Sequence, residues 1–134
     1  MIWEDDKHIA FLSSHPNTKG FSALIPKKHY SSYAFDLPDE VLTDLTLAAK
    51  QVGKLLDRAF EDVTRTAMVY EGFGVNHIHA KLIPLHGTNQ EQWEPIVSNS
   101  DEYFEKYMGY IATHDSKAAS QKELAELATF IRDK

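Results

Sequence analysis

The sequence predicts an α+β fold, with an antiparallel sheet of about five strands, one long helix packed on it and a further helix near the C-terminus. Three observations carry this. Apolar residues recur at helical spacing across residues 38–60. The run Gly74-Val75-Asn76-His77-Ile78-His79-Ala80-Lys81-Leu82-Ile83-Pro84 alternates apolar and polar side chains from His77 to Leu82, a strand period of two. Near the N-terminus, two short apolar runs flank a turn-rich segment ending in Gly20, the pattern of an antiparallel pair.

The long helix opens at Leu37-Pro38-Asp39-Glu40, with proline in the first turn and acids at the positive end of the dipole. Val41, Leu45, Ala48, Val52, Leu55 and Ala59 follow on one stripe, with Leu42, Ala49, Leu56 and Phe60 beside it. The helix is expected from about Pro38 to Phe60, and its stripe is core.

Lys7–Ser13 is expected as a strand with Ile9, Ala10, Phe11 and Leu12 buried, and Phe21–Ile25 as its partner, closed by Pro26. Thr64–Tyr70 is β-like. Its Ala67–Tyr70 part is expected to pair, through the tight connection Glu71-Gly72-Phe73-Gly74, with Asn76–Ile83. Pro84 is expected to end that strand, since it has no N–H for a ladder. One or two helical turns in Ser100–Lys106 and a short strand in Tyr107–Thr113 are expected. Ser120-Gln121-Lys122-Glu123 is a capping-box pattern opening a last helix, with Leu124, Leu127, Ala128 and Ile131 on one face.

The 134 residues are expected to form a single domain, 1–134, with 43% hydrophobic and 25% charged residues, as in ordinary globular chains. Cysteine is absent, so no disulfide framework or thiolate metal site is available; a cytoplasmic protein is the expectation. The net charge of −6 argues against a nucleic-acid partner, and no apolar run approaches membrane-spanning length.

On the alternating run, Ile78, Ala80 and Leu82 are expected to face the core, with His77, His79 and Lys81 on the other face, about 6–7 Å apart at strand rise. Two imidazoles and an ammonium in a row suit an anion lying over them. Glycines at Gly72 and Gly74 let backbone N–H groups approach a phosphate, or simply make a hairpin turn; spacing leaves both open. Lys27-Lys28-His29 is a basic corner at a strand end, and as spacing alone it also fits a solvated turn. A metal site on His77 and His79, completed by His29 or His86, is a further possibility, against which stand the lack of Cys and of a helical HExxH pair. His8, His15 and His114 are expected at surface or turn positions.

The order of strand pair, Ile25-Pro26-Lys27-Lys28-His29, long helix, glycine turn and His77-Ile78-His79-Ala80-Lys81-Leu82-Ile83-Pro84 resembles the histidine triad (HIT) family, over nearly all of residues 3–86. Family members bind nucleotides and cut or transfer at the α-phosphate, with the middle histidine as nucleophile. The resemblance puts that role on His79, with His77 as the first histidine, supporting the site, and His29 in the Pro-Lys-x-His corner with Lys27. Lys81 stands at the third position, where relatives carry histidine, and would hold phosphate as a point charge. Asn76 and the backbone of Gly72 and Gly74 would add phosphate contacts in a loop shorter than the family's usual one. Phe21 stands where relatives have a histidine. Phe11, Leu12 or Ile25 would pack on the base.

The resemblance therefore implies a bacterial-type nucleotide hydrolase acting on nucleoside phosphoramidates or dinucleoside polyphosphates through a nucleotidyl-histidine. A transferase or phosphorylase, and a nucleotide-binding module with little turnover, are the alternatives. No cofactor and no metal are implied. The partners expected are the nucleotide and a second copy of the chain, docked through the long helix and its neighbouring strand.

Overall fold

The computed structural model describes residues 1–134, which form two compact units, Met1–Glu94 and Pro95–Lys134. In the first, β1 (Trp3–Glu4), β2 (His8–Leu12), β3 (Ser22–Pro26), β4 (Val63–Val69) and β5 (Ala80–His86) make one antiparallel sheet in the order β1-β2-β3-β5-β4. Helix α1 (Asp39–Ala59) follows a short 3-10 turn at Ala34–Asp36. The predicted α+β class and strand number are observed.

Pro38 occupies the N-cap of α1 without a side-chain cap, so Asp39 and Glu40 in the first turn supply the charge that meets the exposed N–H groups. Leu45, Ala48, Ala49, Val52 and Leu56 are its buried face. They pack on Ala10, Leu24, Ala80 and Leu82, the inward residues of β2, β3 and β5, with Ile78 beside them. Ala59, expected on this stripe, is exposed because the helix ends there.

Several expectations need correction. Phe11 and Leu12 are exposed rather than buried: they lie at the far end of β2, past Ala10, the last core residue of that strand. His8, expected at the surface, is buried, and its Nδ1 lies 3.0 Å from Asp5 Oδ1, so a carboxylate satisfies the ring. The strand carrying Lys81 begins at Ala80, not near Gly74. The backbone before it is engaged elsewhere: Ile78 N–H donates to the Tyr30 carbonyl at 2.9 Å, and His77 N–H to that of Val75. Thus Ala67, Met68 and Val69 pair with Ile83, Leu82 and Lys81 as foreseen, whereas residues 76–79 pair with no β4 residue and the connection from β4 is a long loop rather than a tight turn. Pro84 does not end β5, which runs on to His86. Pairing with β3 stops at Leu82, so beyond it the strand has one ladder neighbour and a residue lacking N–H is tolerated.

In the second unit, α2 (Gln121–Arg132) starts at Ser120 with the predicted capping box: Glu123 N–H donates to Ser120 Oγ at 3.2 Å, and Ser120 N–H to Glu123 Oε2 at 3.1 Å. None of its residues is buried. Neither the helical turns at Ser100–Lys106 nor the strand at Tyr107–Thr113 forms. Gly109 adopts φ +87°, which breaks an extended run, and Phe104 instead meets the rings of Tyr110 and His114 edge-on.

Candidate active site

The alternation foreseen for residues 77–82 holds even where the ladder does not. Ile78, Ala80 and Leu82 are buried against α1, and His77, His79 and Lys81 are half-buried on the opposite side. A chain in extended conformation alternates its side chains whether or not a neighbour pairs with it.

The imidazoles form a hydrogen-bonded set whose protons can be assigned. His77 Nε2 lies 2.9 Å from the Pro26 carbonyl, which only accepts, so Nε2 carries the proton. In the neutral ring this leaves a lone pair on Nδ1, and His29 Nδ1 donates to it at 3.1 Å, the rings meeting edge-on at 5.1 Å between centroids. His79 Nδ1 lies 2.8 Å from the His77 carbonyl and donates to it. Its Nε2 therefore holds the free electron pair. The residue that locates His77 is thus the proline closing β3, and the residue that orients His79 is His77 through its backbone.

Lys81 Nζ lies 3.2 Å from Glu71 Oε1, whose side chain is only 7% exposed, while Lys81 is 33% exposed. Glu71 also accepts from the N–H of Phe73 at 3.2 Å. Lys81 pairs with Val69 on β4 and Ala23 on β3, and Ala23 in turn with Phe11 on β2. Half-buried Ile25 and Ile9 form the next pair on the same face. Leu12, once grouped with Phe11 and Ile25, alternates onto the opposite face with Ala10.

The other named residues surround this row at varying remove. Asn76 Oδ1 accepts from Ser32 N–H at 3.0 Å, tying its loop to the segment after His29. Gly72 is buried at φ +68° with its α-carbon against Ser32: a β-carbon there would lie 2.3 Å from the Ser32 carbonyl oxygen. Gly74 is exposed with open space around it. Lys27 Nζ is bonded to Glu4 at 2.6 Å. His86 is engaged at the far end of β5, with Nδ1 on Asp62 at 3.0 Å and Nε2 on the Lys19 carbonyl at 2.7 Å. That double engagement, the Lys19 carbonyl first and then the Asp62 carboxylate, raises the His86 pKa above the usual imidazole value. A cleft of about 410 Å3 lined by Lys7, His8, Pro26, Lys27, Glu40 and Asp44 contains neither His77 nor His79, and what marks the site is the hydrogen-bonded set of histidines.

Sequence reasoning passed over Glu71, which it treated only as part of a turn. The signal was present: Glu71 lies two residues past Val69, the partner of Lys81, so strand alternation places it on the Lys81 side.

An open antiparallel sheet backed by one long helix, presenting two ordered imidazoles on the extended segment that leads into β5, next to the edge strand β4, defines the class of protein. Residues 1–88 match the HIT domain, and the chain belongs to the HIT family. It is 31% identical over 90 residues to an uncharacterized HIT-like protein of Methanocaldococcus jannaschii, covering 64% of this chain and 68% of that protein. It is 35% identical over 75 residues to the adenosine 5'-monophosphoramidase of Saccharomyces cerevisiae, a match covering 56% of this chain but 47% of that protein. Among solved structures, SMU.412c of Streptococcus mutans shares the fold at a TM-score of 0.65 and 21% identity, covering 98% of this chain and 74% of the other. A HIT-like protein of Bartonella henselae aligns at a TM-score of 0.54 and 26% identity, covering 62% of this chain and 67% of that one. No helix is long and apolar enough to cross a membrane.

Proposed function

We propose that this HIT protein hydrolyses a nucleotide at its α-phosphate, taking nucleoside phosphoramidates or dinucleoside polyphosphates, through a nucleotidyl group held on His79. The observation that carries the proposal is the 2.8 Å hydrogen bond from His79 Nδ1 to the His77 carbonyl, which leaves the Nε2 electron pair for attack on phosphorus. In the first step a bond forms between Nε2 and the α-phosphorus while the bond to the leaving group breaks, and the leaving amine or phosphate takes up a proton. Water then attacks phosphorus, the phosphorus–nitrogen bond breaks, and nucleoside monophosphate leaves with His79 restored. Lys81, at the third position of the triad, supplies a fixed positive charge to the phosphate. His77 and His29 hold the nucleophile's surroundings in register. The face that carries half-buried Ile9, Ala23 and Ile25 and exposed Phe11 offers apolar surface to the nucleoside.

The relative named as an adenosine 5'-monophosphoramidase supports the phosphoramidate arm. The test follows adenosine monophosphate release from adenosine phosphoramidate and from diadenosine polyphosphates. His79→Ala should lower turnover by several orders of magnitude, because groups that act as a unit fail together. Equal rates for wild type and variant on every substrate would sink the proposal. A nucleotide-binding module with little turnover is kept as the second reading, because the Lys81 charge is already met by Glu71. It predicts monophosphate binding with no covalent His79 adduct by mass spectrometry. Transfer rather than hydrolysis would show as adduct formation with turnover only when an acceptor phosphate or nucleotide is added.

A homodimer through α1 and β4 belongs to the same proposal. β4 is an edge of the sheet, Met68 on it is exposed, and a cleft lined by Thr46, Ala49 and Gly53 of α1 and Thr64 and Met68 of β4 runs beside it. Sedimentation equilibrium at twice the monomer mass is the expected result.

A further inference from the structure

We propose that Glu71 is a positioning residue for Lys81, fixing where the ammonium stands beside His79 and limiting how tightly it holds phosphate in the ground state. The inference rests on the reaction proposed above. A lysine has a flexible four-carbon stem, so where an imidazole would be placed by its ring, an ammonium needs a partner to place it. Glu71 is built for that. Its side chain is 7% exposed, and its carboxylate sits 3.2 Å from Lys81 Nζ and is itself held by the N–H of Phe73. Withdrawing Lys81 would take a counter-charge 3.2 Å away from a largely buried carboxylate, which opposes the movement. Lys81, 33% exposed, keeps part of its ammonium open to an incoming phosphate.

Two effects of opposite sign follow, and they separate in kinetics. The ion pair engages part of the ammonium, so removing the carboxylate frees all of Lys81 for ground-state binding. The carboxylate also holds the ammonium in place, so removing it lets the charge wander from where the transition state needs it. A displacement of about 1 Å near reacting atoms lowers rates by on the order of a hundredfold.

The experiment is a double-mutant cycle of Glu71→Gln and Lys81→Ala. It measures kcat and KM on adenosine phosphoramidate, affinity for adenosine monophosphate by calorimetry, and melting temperature. Gln keeps an oxygen to accept from Phe73 N–H. Expected for Glu71→Gln are a kcat reduced by about ten- to a hundredfold, a KM equal to or below wild type, and monophosphate bound more tightly. Both changes should vanish in the Lys81→Ala background, and Glu71→Asp, which keeps the charge with a shorter reach, should recover part of kcat. The proposal is overturned if Glu71→Gln raises KM with kcat intact, or if its effects persist undiminished without Lys81. Should Glu71→Gln melt early, Glu71→Asp carries the same cycle. If wild type releases no monophosphate and forms no His79 adduct, the reaction is wrong, while the calorimetric half of the cycle still decides the Glu71–Lys81 coupling.

Discussion

Gly72→Ala is the substitution whose consequence is most directly worked from the structure. At φ +68° an L side chain is strained by about 1–2 kcal/mol. The added β-carbon would lie 2.3 Å from the Ser32 carbonyl oxygen, a backbone atom that cannot swing aside as a side-chain tip could. Restoring ordinary contact moves one loop by about 1 Å, enough to break the 3.0 Å bond from Ser32 N–H to Asn76 Oδ1, worth about 1 kcal/mol. Against these stands a gain of about 0.4–1 kcal/mol, because alanine restricts the unfolded chain. The net expectation is a loss of about 2 kcal/mol, read as a lower urea midpoint at unchanged slope. Gly74→Ala is the matched control: it has no positive φ and nothing within 4 Å, so it should stay within about 0.5 kcal/mol of wild type. Turnover should fall with Gly72→Ala, since Glu71 adjoins the displaced residue. If the two alanine variants prove equally stable, the reasoning that Gly72 is demanded by contact with Ser32 is refuted.

Two further outcomes are expected. Leu24 is fully buried in the middle of the sheet, so Leu24→Ala should cost about 2–5 kcal/mol in equilibrium unfolding. The raised pKa of His86 means the folded state favours its protonated form, so that stabilisation is complete below the unfolded value near 6.5 and fades as pH rises through the folded value. Asp62, whose pKa is lowered chiefly by its hydrogen bond from His86, contributes above its ordinary carboxylate range and loses that as pH falls. Wild type should therefore lose melting temperature as pH rises above about 6.5, relative to His86→Gln; parallel curves would contradict this.

Legibility in the sequence followed how local the cause was. Helix α1 was readable because its stripe and its acidic first turn lie within one segment, and hydrogen bonds four residues apart need no distant partner. The capping box at Ser120 was readable for the same reason. The buried state of His8 was not, since it depends on Asp5 turning back to meet the ring. The strand expected at Tyr107–Thr113 failed because a β-like run is a strand only when another strand lies beside it.

The alternation of His77, His79 and Lys81 against Ile78, Ala80 and Leu82 was set by the chain itself, because side-chain direction in extended backbone depends only on successive residues. What tertiary structure decided was which atoms answer those side chains: the Pro26 carbonyl for His77, His29 from the far side of α1 in the chain, and Glu71 for Lys81. Those partners lie 10 to 51 residues away in sequence. Hydrogen bonds and ion pairs act over a few ångströms of space, so only the folded sheet brings them within reach.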